Sequence, residues 1–249
     1  MKRLYFQWKK DEEAPFAGWD FSYLKGRWKE DRPYWDYQRK AQVLIKNATA
    51  VLDIGTGGGE LLASLGPFPS HTMATEGLPA NVPIARRRLE PLGVKVVTVD
   101  ESGKIPFADE EFDLLLNRHS AYDEREIFRI LRKGGHFLTQ QVGGNNLKDL
   151  VREFSVESQF KDWTLDVAKQ RLEEVGFKIT QAKEWSGRVE FKDVGALVYF
   201  LKAIPWVVKD FSVDNYLLVL EKFQRRIDIG ESLAFTNVRF MILAEKDKS

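Results

Sequence analysis

Apolar residues along the chain follow two different periods, which predict strands and helices in alternation. Residues 51–54 form a short apolar run between turn residues, as is typical of a buried parallel strand. Four similar runs lie at residues 71–77, 94–100, 112–119 and 135–144. Helical spacing separates some of these runs, at residues 81–89 and 123–133. Because strands and helices alternate, we expect a mostly parallel sheet with helices packed against it.

The second half of the chain continues both periods. Thr164 precedes a helical pattern that Gly176 ends, and residues 177–180 predict another strand. An amphipathic helix is predicted over residues 216–227, and a final strand over residues 237–245. The alternation therefore extends almost to the last residue.

The first 45 residues differ in composition, because aromatic side chains crowd into them. Trp8, Trp19, Trp28 and Trp35 lie there among phenylalanines and tyrosines, without a regular period. We expect short helices and turns that lie over the sheet. The aromatic side chains either plug one end of the core or form a lid over a binding cleft. The residues expected to close such a cleft are Tyr23, Trp28 and Tyr37.

Composition and charge restrict the class of protein. With 43% hydrophobic and 30% charged residues, the 249-residue chain has the composition of a folded globular protein. Its 38 basic and 37 acidic residues give a net charge of +1, so nucleic acid is not favoured as a partner. A cluster of four basic residues is the feature that would favour RNA: Lys25, Arg27, Lys29 and Arg32.

Cysteine is absent, which excludes disulfides and thiolate chemistry and fits a reducing compartment. No segment has the pattern of a signal peptide or a membrane span. We therefore expect a cytoplasmic protein that does not contact a membrane.

Four glycines in five positions follow the first predicted strand, in the sequence VLDIGTGGGE of residues 51–60. In an open parallel sheet, ligands bind beyond the carboxyl ends of the strands, at such a loop. A phosphate-binding Walker loop requires Lys and then Ser or Thr after the last glycine, whereas Glu60 and Leu61 follow here. Glu60 also replaces the small third residue of a dinucleotide motif and would repel a pyrophosphate. The loop therefore favours a nucleoside ligand without phosphates.

The segment around this loop resembles the class I S-adenosylmethionine (SAM)-dependent methyltransferases, in particular their type 11 group. The resemblance covers about residues 51–142 and is carried by VLDIGTGGGE, ATEG, VTVD, IPFADEEFDLLLNRH and ILRKGGHFLTQQ, in this order. It implies a Rossmann-like α/β fold: a seven-stranded, mostly parallel sheet with helices on both faces and an antiparallel last strand. The methyltransferase domain would span residues 40–249, and residues 1–39 would form a helical extension or lid. The implied cofactor is SAM.

The resemblance also implies roles for individual residues. Asp53 and the glycine loop would hold the methionine part of SAM, and Glu76 would accept hydrogen bonds from the two ribose hydroxyls. Asp100 or the adjacent Glu101 would bind the adenine amino group. The residues expected to contact the cofactor are Asp53, Gly55, Thr56, Gly57, Gly59, Glu76, Asp100, Glu101 and Asn117.

Arg118 and His119 end the fourth predicted strand beside Asn117, where the methyl group must be presented. Arg118 is a candidate for contact with the methyl acceptor. His119 is the candidate catalytic residue, as a general base or as an orienting hydrogen-bond partner, because its unperturbed pKa lies near ~6.5. A structural role of this histidine is the alternative. The three histidines are scattered, so no metal site is predicted.

We expect the methyl acceptor to be a small molecule. The sequence lacks the Asn/Asp-Pro-Pro-aromatic tetrad that many enzymes methylating amino groups carry, so nucleobase amines gain no support as acceptors. RNA or protein as the acceptor stays open, as does a SAM-binding module without catalysis. Neither the identity of the acceptor nor the oligomeric state follows from the sequence.

Overall fold

An eight-stranded sheet forms the centre of the computed structural model, which describes residues 2–100 and 104–247. The strands are β1 (Trp28–Glu30), β2 (Ala50–Ile54), β3 (His71–Glu76), β4 (Lys95–Thr98), β5 (Phe112–Arg118), β6 (Leu131–Val142), β7 (Phe177–Phe191) and β8 (Leu233–Lys246). Their order across the sheet is β1-β7-β8-β6-β5-β2-β3-β4. Strands β2 to β6 are mutually parallel, and β8 runs antiparallel between β6 and β7. The predicted mostly parallel sheet with an antiparallel last strand is confirmed.

The sheet has eight strands where seven were expected, and β1 is the additional strand. It pairs antiparallel with β7, with Trp28 opposite Phe191 and Glu30 opposite Val189. Only helices and turns were expected in this part of the chain, because three residues are too few to show an alternating pattern. The aromatic-rich N-terminal segment, defined here as residues 2–36, thus completes one edge of the sheet.

Helices lie on both faces of the sheet, as the resemblance implies. The α-helices are α1 (Lys2–Glu12), α2 (Tyr37–Ile45), α3 (Glu60–Ala63), α4 (Val82–Leu89), α5 (Glu124–Ile130), α6 (Lys148–Glu153), α7 (Leu165–Glu174), α8 (Val194–Ala203) and α9 (Leu217–Asp228). Apolar side chains of α2, α3 and α4 pack on one face, and those of α5 and α7 pack on the other. Within the described residues, no helix is long and apolar enough to cross a membrane.

Two elements differ in extent from the prediction, and a third was not predicted, each for a physical reason. The helix expected to reach residue 133 ends at Ile130, because β6 begins at Leu131. Strand β7 continues from the predicted residues 177–180 to Phe191, although polar residues fill much of it. Helix α8 was not predicted, because eight of its ten residues are buried and the helix has no polar face to mark its period.

The N-terminal segment has its own apolar cluster with the later helices. Trp8 of α1 packs there with side chains of α6, α8, α9 and the end of β7, and Trp8 is only 2% exposed. Helix α2 begins at Tyr37, where the Asp36 carboxylate accepts a hydrogen bond from the Arg39 N–H at 2.9 Å. The expected division between residues 1–39 and 40–249 would therefore cut inside α2, and it stays a prediction.

A buried carboxylate ties the N-terminal segment to α8. Asp11 is fully buried and accepts hydrogen bonds from the Tyr23 hydroxyl at 2.8 Å and from two nitrogens of Arg27 at 2.8 and 3.3 Å. The same guanidinium donates to Asp193, the N-cap residue of α8. A Cβ atom at Gly195 in the first turn of α8 would collide with the Asp11 carboxylate, so the two elements are closely packed. This network fixes the position of the segment.

We predict that Asp11→Ala lowers the free energy of unfolding by about 2–3 kcal/mol, because it removes several charge-assisted hydrogen bonds in a buried place. Asp214→Ala is the matched control: its carboxylate also bonds a tyrosine and a basic residue of α1, but its side chain is 56% exposed. That variant should lose clearly less stability, because solvent screens an exposed pair. Urea unfolding of both variants checks this, and equal losses would contradict it.

Candidate functional site

The glycine loop of residues 55–59 joins β2 to α3 at the carboxyl ends of the parallel strands. Gly57 has a φ of +63° and packs under the indole of Trp19, where a Cβ atom would collide with the ring. Gly55 has a φ of +72° and meets the side chain of Ser120 in the same way. Both positions therefore require glycine for conformation and for close approach. The loop forms a smooth backbone surface with side chains from distant segments directly above it.

Two acidic residues lie beside this loop. Burial raises the pKa of the Asp53 carboxyl, near the end of β2, to about 6. Glu76 ends β3 and is 5% exposed; its Oε1 accepts a hydrogen bond from the Leu78 N–H at 2.7 Å. Exposed Asp100 follows β4, and Glu101 lies outside the described residues. The two acids at the ends of β2 and β3 thus flank the loop, as the resemblance implies.

One buried hydroxyl of the loop lacks a hydrogen bond. Thr56 Oγ1 is inaccessible to solvent and makes no hydrogen bond of normal geometry, although it lies close enough to Asp53 to restrain the rise of that carboxyl's pKa. An unsatisfied hydroxyl in a native structure is costly and calls for a partner. The Thr56 hydroxyl therefore lies beside the Asp53 carboxylate with hydrogen-bonding capacity to spare.

Asn117, near the end of β5, lies inside the protein and not on its surface. Its side chain is fully buried: Nδ2 donates to the Ile54 carbonyl at 3.1 Å, and Oδ1 accepts from Thr139 Oγ1 at 2.9 Å and from Gln141 Nε2 at 2.5 Å. The Tyr37 hydroxyl donates to the Asn117 carbonyl at 3.1 Å. These bonds join the ends of β2, β5 and β6 to α2, so that Asn117 holds the strand ends together.

His119 follows β5 in a left-handed conformation, with a φ of +59°. Its backbone N–H donates to the Gln140 carbonyl at 2.8 Å, and its Nε2 lies 3.1 Å from Gln140 Nε2. The Trp35 indole N–H donates to Gln140 Oε1 at 2.8 Å, which turns the amide NH₂ of Gln140 toward the histidine. Nε2 of His119 therefore accepts that hydrogen bond, and the ring proton resides on Nδ1.

Burial, and then the charges of Arg118 and Arg239, lower the pKa of His119 well below its ordinary 6.5. His119 is half-buried as a residue, and the surrounding protein removes most of the hydration of its ring. His119 is accordingly neutral at neutral pH. In that state the ring offers Nδ1–H as a donor, while its lone pair is engaged by Gln140.

Two arginines near His119 have different environments. Arg239 of β8 donates to Asn146 Oδ1 at 2.9 Å and to Glu30 Oε1 at 3.1 Å. Arg118, the last residue of β5, is exposed, and its guanidinium makes no hydrogen bond or ion pair within the described part of the chain. The surrounding protein removes hydration from both guanidinium groups and lowers their pKa, that of Arg239 to about 10, although Arg118 keeps an exposed surface. No group of acidic or histidine side chains with the geometry of a metal site occurs among the described residues.

The aromatic residues expected over the cleft separate into two groups. Tyr37 contacts the end of β5, whereas Tyr23 stacks on Tyr199 of α8 at 4.4 Å and Trp28 packs among the phenylalanines of β7 and α8. Trp19 and Trp35 contact the glycine loop and Gln140, although neither was expected there. The crowding of aromatic residues was the available signal, but it does not show which ring reaches the cleft.

Comparisons with known proteins agree with this geometry. The model of a family described as a methyltransferase domain matches residues 52–139. These residues include the glycine loop, strands β3 to β5 and most of β6. No curated protein matches the chain.

Among solved structures, a candidate methyltransferase from Bacillus halodurans C-125 is 22% identical with a TM-score of 0.61, over 85% of this chain and 99% of its own. The YcgJ protein from Bacillus subtilis is 17% identical with a TM-score of 0.57, over 85% of this chain and all of its own. The [4+2]-cyclase SpnF is 15% identical with a TM-score of 0.53, over 95% of this chain and 89% of its own. These similarities show the fold, and the cyclase illustrates that one fold supports different chemistry.

We predict that His119 stays neutral throughout the neutral pH range and carries its proton on Nδ1. Because the folded protein disfavours the charged ring, protonation should begin only well below pH 6.5. Nitrogen-15 NMR of the imidazole across a pH titration measures both properties. Titration near pH 6.5, or a proton on Nε2, would contradict the geometry.

Trp35→Phe is the informative variant for the same measurement. Without the indole N–H, the Gln140 amide is free to turn its carbonyl oxygen toward Nε2 and to accept a hydrogen bond from a protonated ring. The pKa of His119 should then rise toward its ordinary value. An unchanged titration would show that Trp35 does not orient the amide.

Proposed function

We propose that this chain, which contains a class I SAM-dependent methyltransferase domain, transfers the methyl group of SAM to a small molecule held beneath its N-terminal segment. The observation that carries the choice of acceptor is the aromatic cover over the ends of the parallel strands. Trp19 lies on the glycine loop, Trp35 bonds Gln140, and Tyr37 bonds the Asn117 carbonyl. Because these aromatic side chains contact the loop and the strand ends directly, the space beneath them suits a compact acceptor better than a polymer.

The residues at the glycine loop fit SAM. Gly55 and Gly57 provide backbone without a Cβ atom, and Thr56 provides a buried hydroxyl with unused hydrogen-bonding capacity. The Asp53 carboxylate would hold the ammonium group, and Glu76 has one carboxylate oxygen bonded to Leu78 and a second for the ribose hydroxyls. When bound, SAM supplies an electrophilic methyl group on sulfur and leaves as S-adenosylhomocysteine.

The contribution of the protein to this chemistry is placement and exclusion of water. Trp19, Trp35 and Tyr37 shield the strand ends, so that the acceptor is held in a dry, ordered place. His119 offers an Nδ1–H that can orient an acceptor oxygen or nitrogen. With its lone pair engaged and its pKa depressed, His119 suits the orienting role better than that of a general base.

One of the four basic residues that would favour RNA is neutralised inside the fold, and another has acidic neighbours. Arg27 is tied to Asp11 and Asp193, and Lys29 of β1 lines a shallow depression with both acidic and basic neighbours. This arrangement lacks the uniform positive stripe that a nucleic-acid backbone requires. It supports a small acceptor.

Isotope-labelled SAM, incubated with the protein and a cell extract, tests the proposal. Mass spectrometry should find the labelled methyl group in the small-molecule fraction. Gly57→Val is the control, because its side chain would collide with Trp19 and would require an unfavourable φ of +63°. Label in the RNA or protein fraction would contradict the choice of acceptor, and cofactor binding without any labelled product would indicate a binding module.

We predict that Glu76→Gln weakens binding of S-adenosylhomocysteine by about 10- to 100-fold, because charge-assisted hydrogen bonds contribute about 1.5–3 kcal/mol. Gln keeps an oxygen that can accept from the Leu78 N–H, so the local backbone bond is preserved. Calorimetry measures the affinity, and circular dichroism confirms the fold. Unchanged affinity would remove Glu76 from the ribose site.

A further inference from the structure

We propose that Arg118 binds a carboxylate group of the methyl acceptor, which makes the acceptor an anionic small molecule. The inference rests on the proposed function and identifies the substrate class of that site. It comes from the position of Arg118 in the sheet, from its lack of a partner and from the charges around it.

The strand register places Arg118 on the face of the sheet that carries the site. Leu116 of β5 lies opposite Asp53 of β2, and Arg118 follows two residues later on the same face. Arg118 is paired with Gln140 of β6, whose amide contacts both Trp35 and His119. Arg118 thus lies on the same face of the sheet as Asp53, near enough to Asp53 and Tyr37 for their charges to act on it.

Other arginines around the cleft are bound to acceptors, and Arg118 is not. Arg88 donates to the Gly58 carbonyl and to Glu60, and Arg239 donates to Asn146 and Glu30. The guanidinium of Arg118 makes no hydrogen bond or ion pair with any residue in the described ranges, 2–100 and 104–247. Its five N–H donors are therefore available to a ligand.

The electrostatic setting of Arg118 favours an anion. The surrounding protein removes hydration from the guanidinium and lowers its pKa, and the cation of Arg239 lies near enough to interact with it. The nearby acids already have partners or expected partners: Glu30 bonds Arg239 and Asn237, and Asp53 would bind the ammonium group of SAM. A poorly hydrated guanidinium that is bonded to neither of these acids suits a planar carboxylate, which it can bind through two parallel hydrogen bonds.

A carboxylate at this place could belong to the acceptor or to SAM itself, and binding to the S-adenosylhomocysteine complex separates the two sources. The probes are acetate, benzoate and 3-phenylpropionate, each compared with its primary amide, which has nearly the same shape and no charge. Saturation-transfer NMR and calorimetry measure binding to the wild-type complex. At least one carboxylate should bind about tenfold or more tightly than its amide, as expected for a charge-assisted pair.

Arg118→Gln should abolish this preference while changing the affinity for S-adenosylhomocysteine less than threefold. Arg118→Lys should keep part of the preference, because it retains the charge but not the planar fork. Arg225→Gln is the matched control: this surface arginine of α9 has a side chain that is 67% exposed, and its loss should change neither measurement.

Each other outcome overturns a specific statement. If Arg118→Gln instead weakens the binding of S-adenosylhomocysteine, the guanidinium binds the carboxylate of the cofactor and the inference is wrong. If the wild-type complex shows no preference for any of the three carboxylates, or if Arg118→Gln keeps the preference, the inference is also wrong. If wild-type protein fails to bind S-adenosylhomocysteine at all, it is the proposed function that fails.

Discussion

A carboxylate without water requires compensating charge close by, and Asp11 meets this requirement with Arg27, which Asp193 of α8 shares. This pairing fixes the N-terminal segment against a helix that lies more than 180 residues later in the chain. Once the segment is fixed there, Trp19 lies on the glycine loop and Trp35 reaches Gln140. The cover of the cleft therefore depends on an ion-pair network outside the cleft.

Two features position the residues around the glycine loop: close packing against its backbone and buried hydrogen bonds below it. Gly55 and Gly57 let Ser120 and Trp19 lie directly against the loop backbone, and the hydrogen bonds of Asn117 hold the strand ends that carry Asp53 and His119. The parallel sheet determines where these elements meet, because the carboxyl ends of its strands lie along one edge. Side chains from the N-terminal segment then determine how much of that edge a ligand can reach.

The parts of the structure that depend on local sequence could be predicted. The glycine loop and Glu76 follow from residue types within a single β-loop-α unit, and the mostly parallel sheet follows from the alternation of strands and helices. The contact of Trp35 with Gln140 joins residues 105 positions apart, and the sequence has no signal for such a contact. The orientation of that amide, and hence the state of His119, depends on a contact of this kind. Tyr23 and Trp28 illustrate the same limit, since their aromatic character did not show that they face α8 and β7.

The separation in sequence between the N-terminal segment and its partners also determines the order of assembly on the ribosome. The Tyr5–Asp214 hydrogen bond spans 209 positions and the Arg27–Asp193 bonds span 166. During synthesis, the tryptophans of the segment emerge before their partners and stay exposed until β7, α8 and the later residues have been translated. The cofactor loop can form much earlier, with β2 and β3. Nascent chains of this protein therefore pass through a long stage in which the loop is uncovered and the aromatic side chains of the N-terminal segment are exposed. Chaperones would engage the chain at that stage.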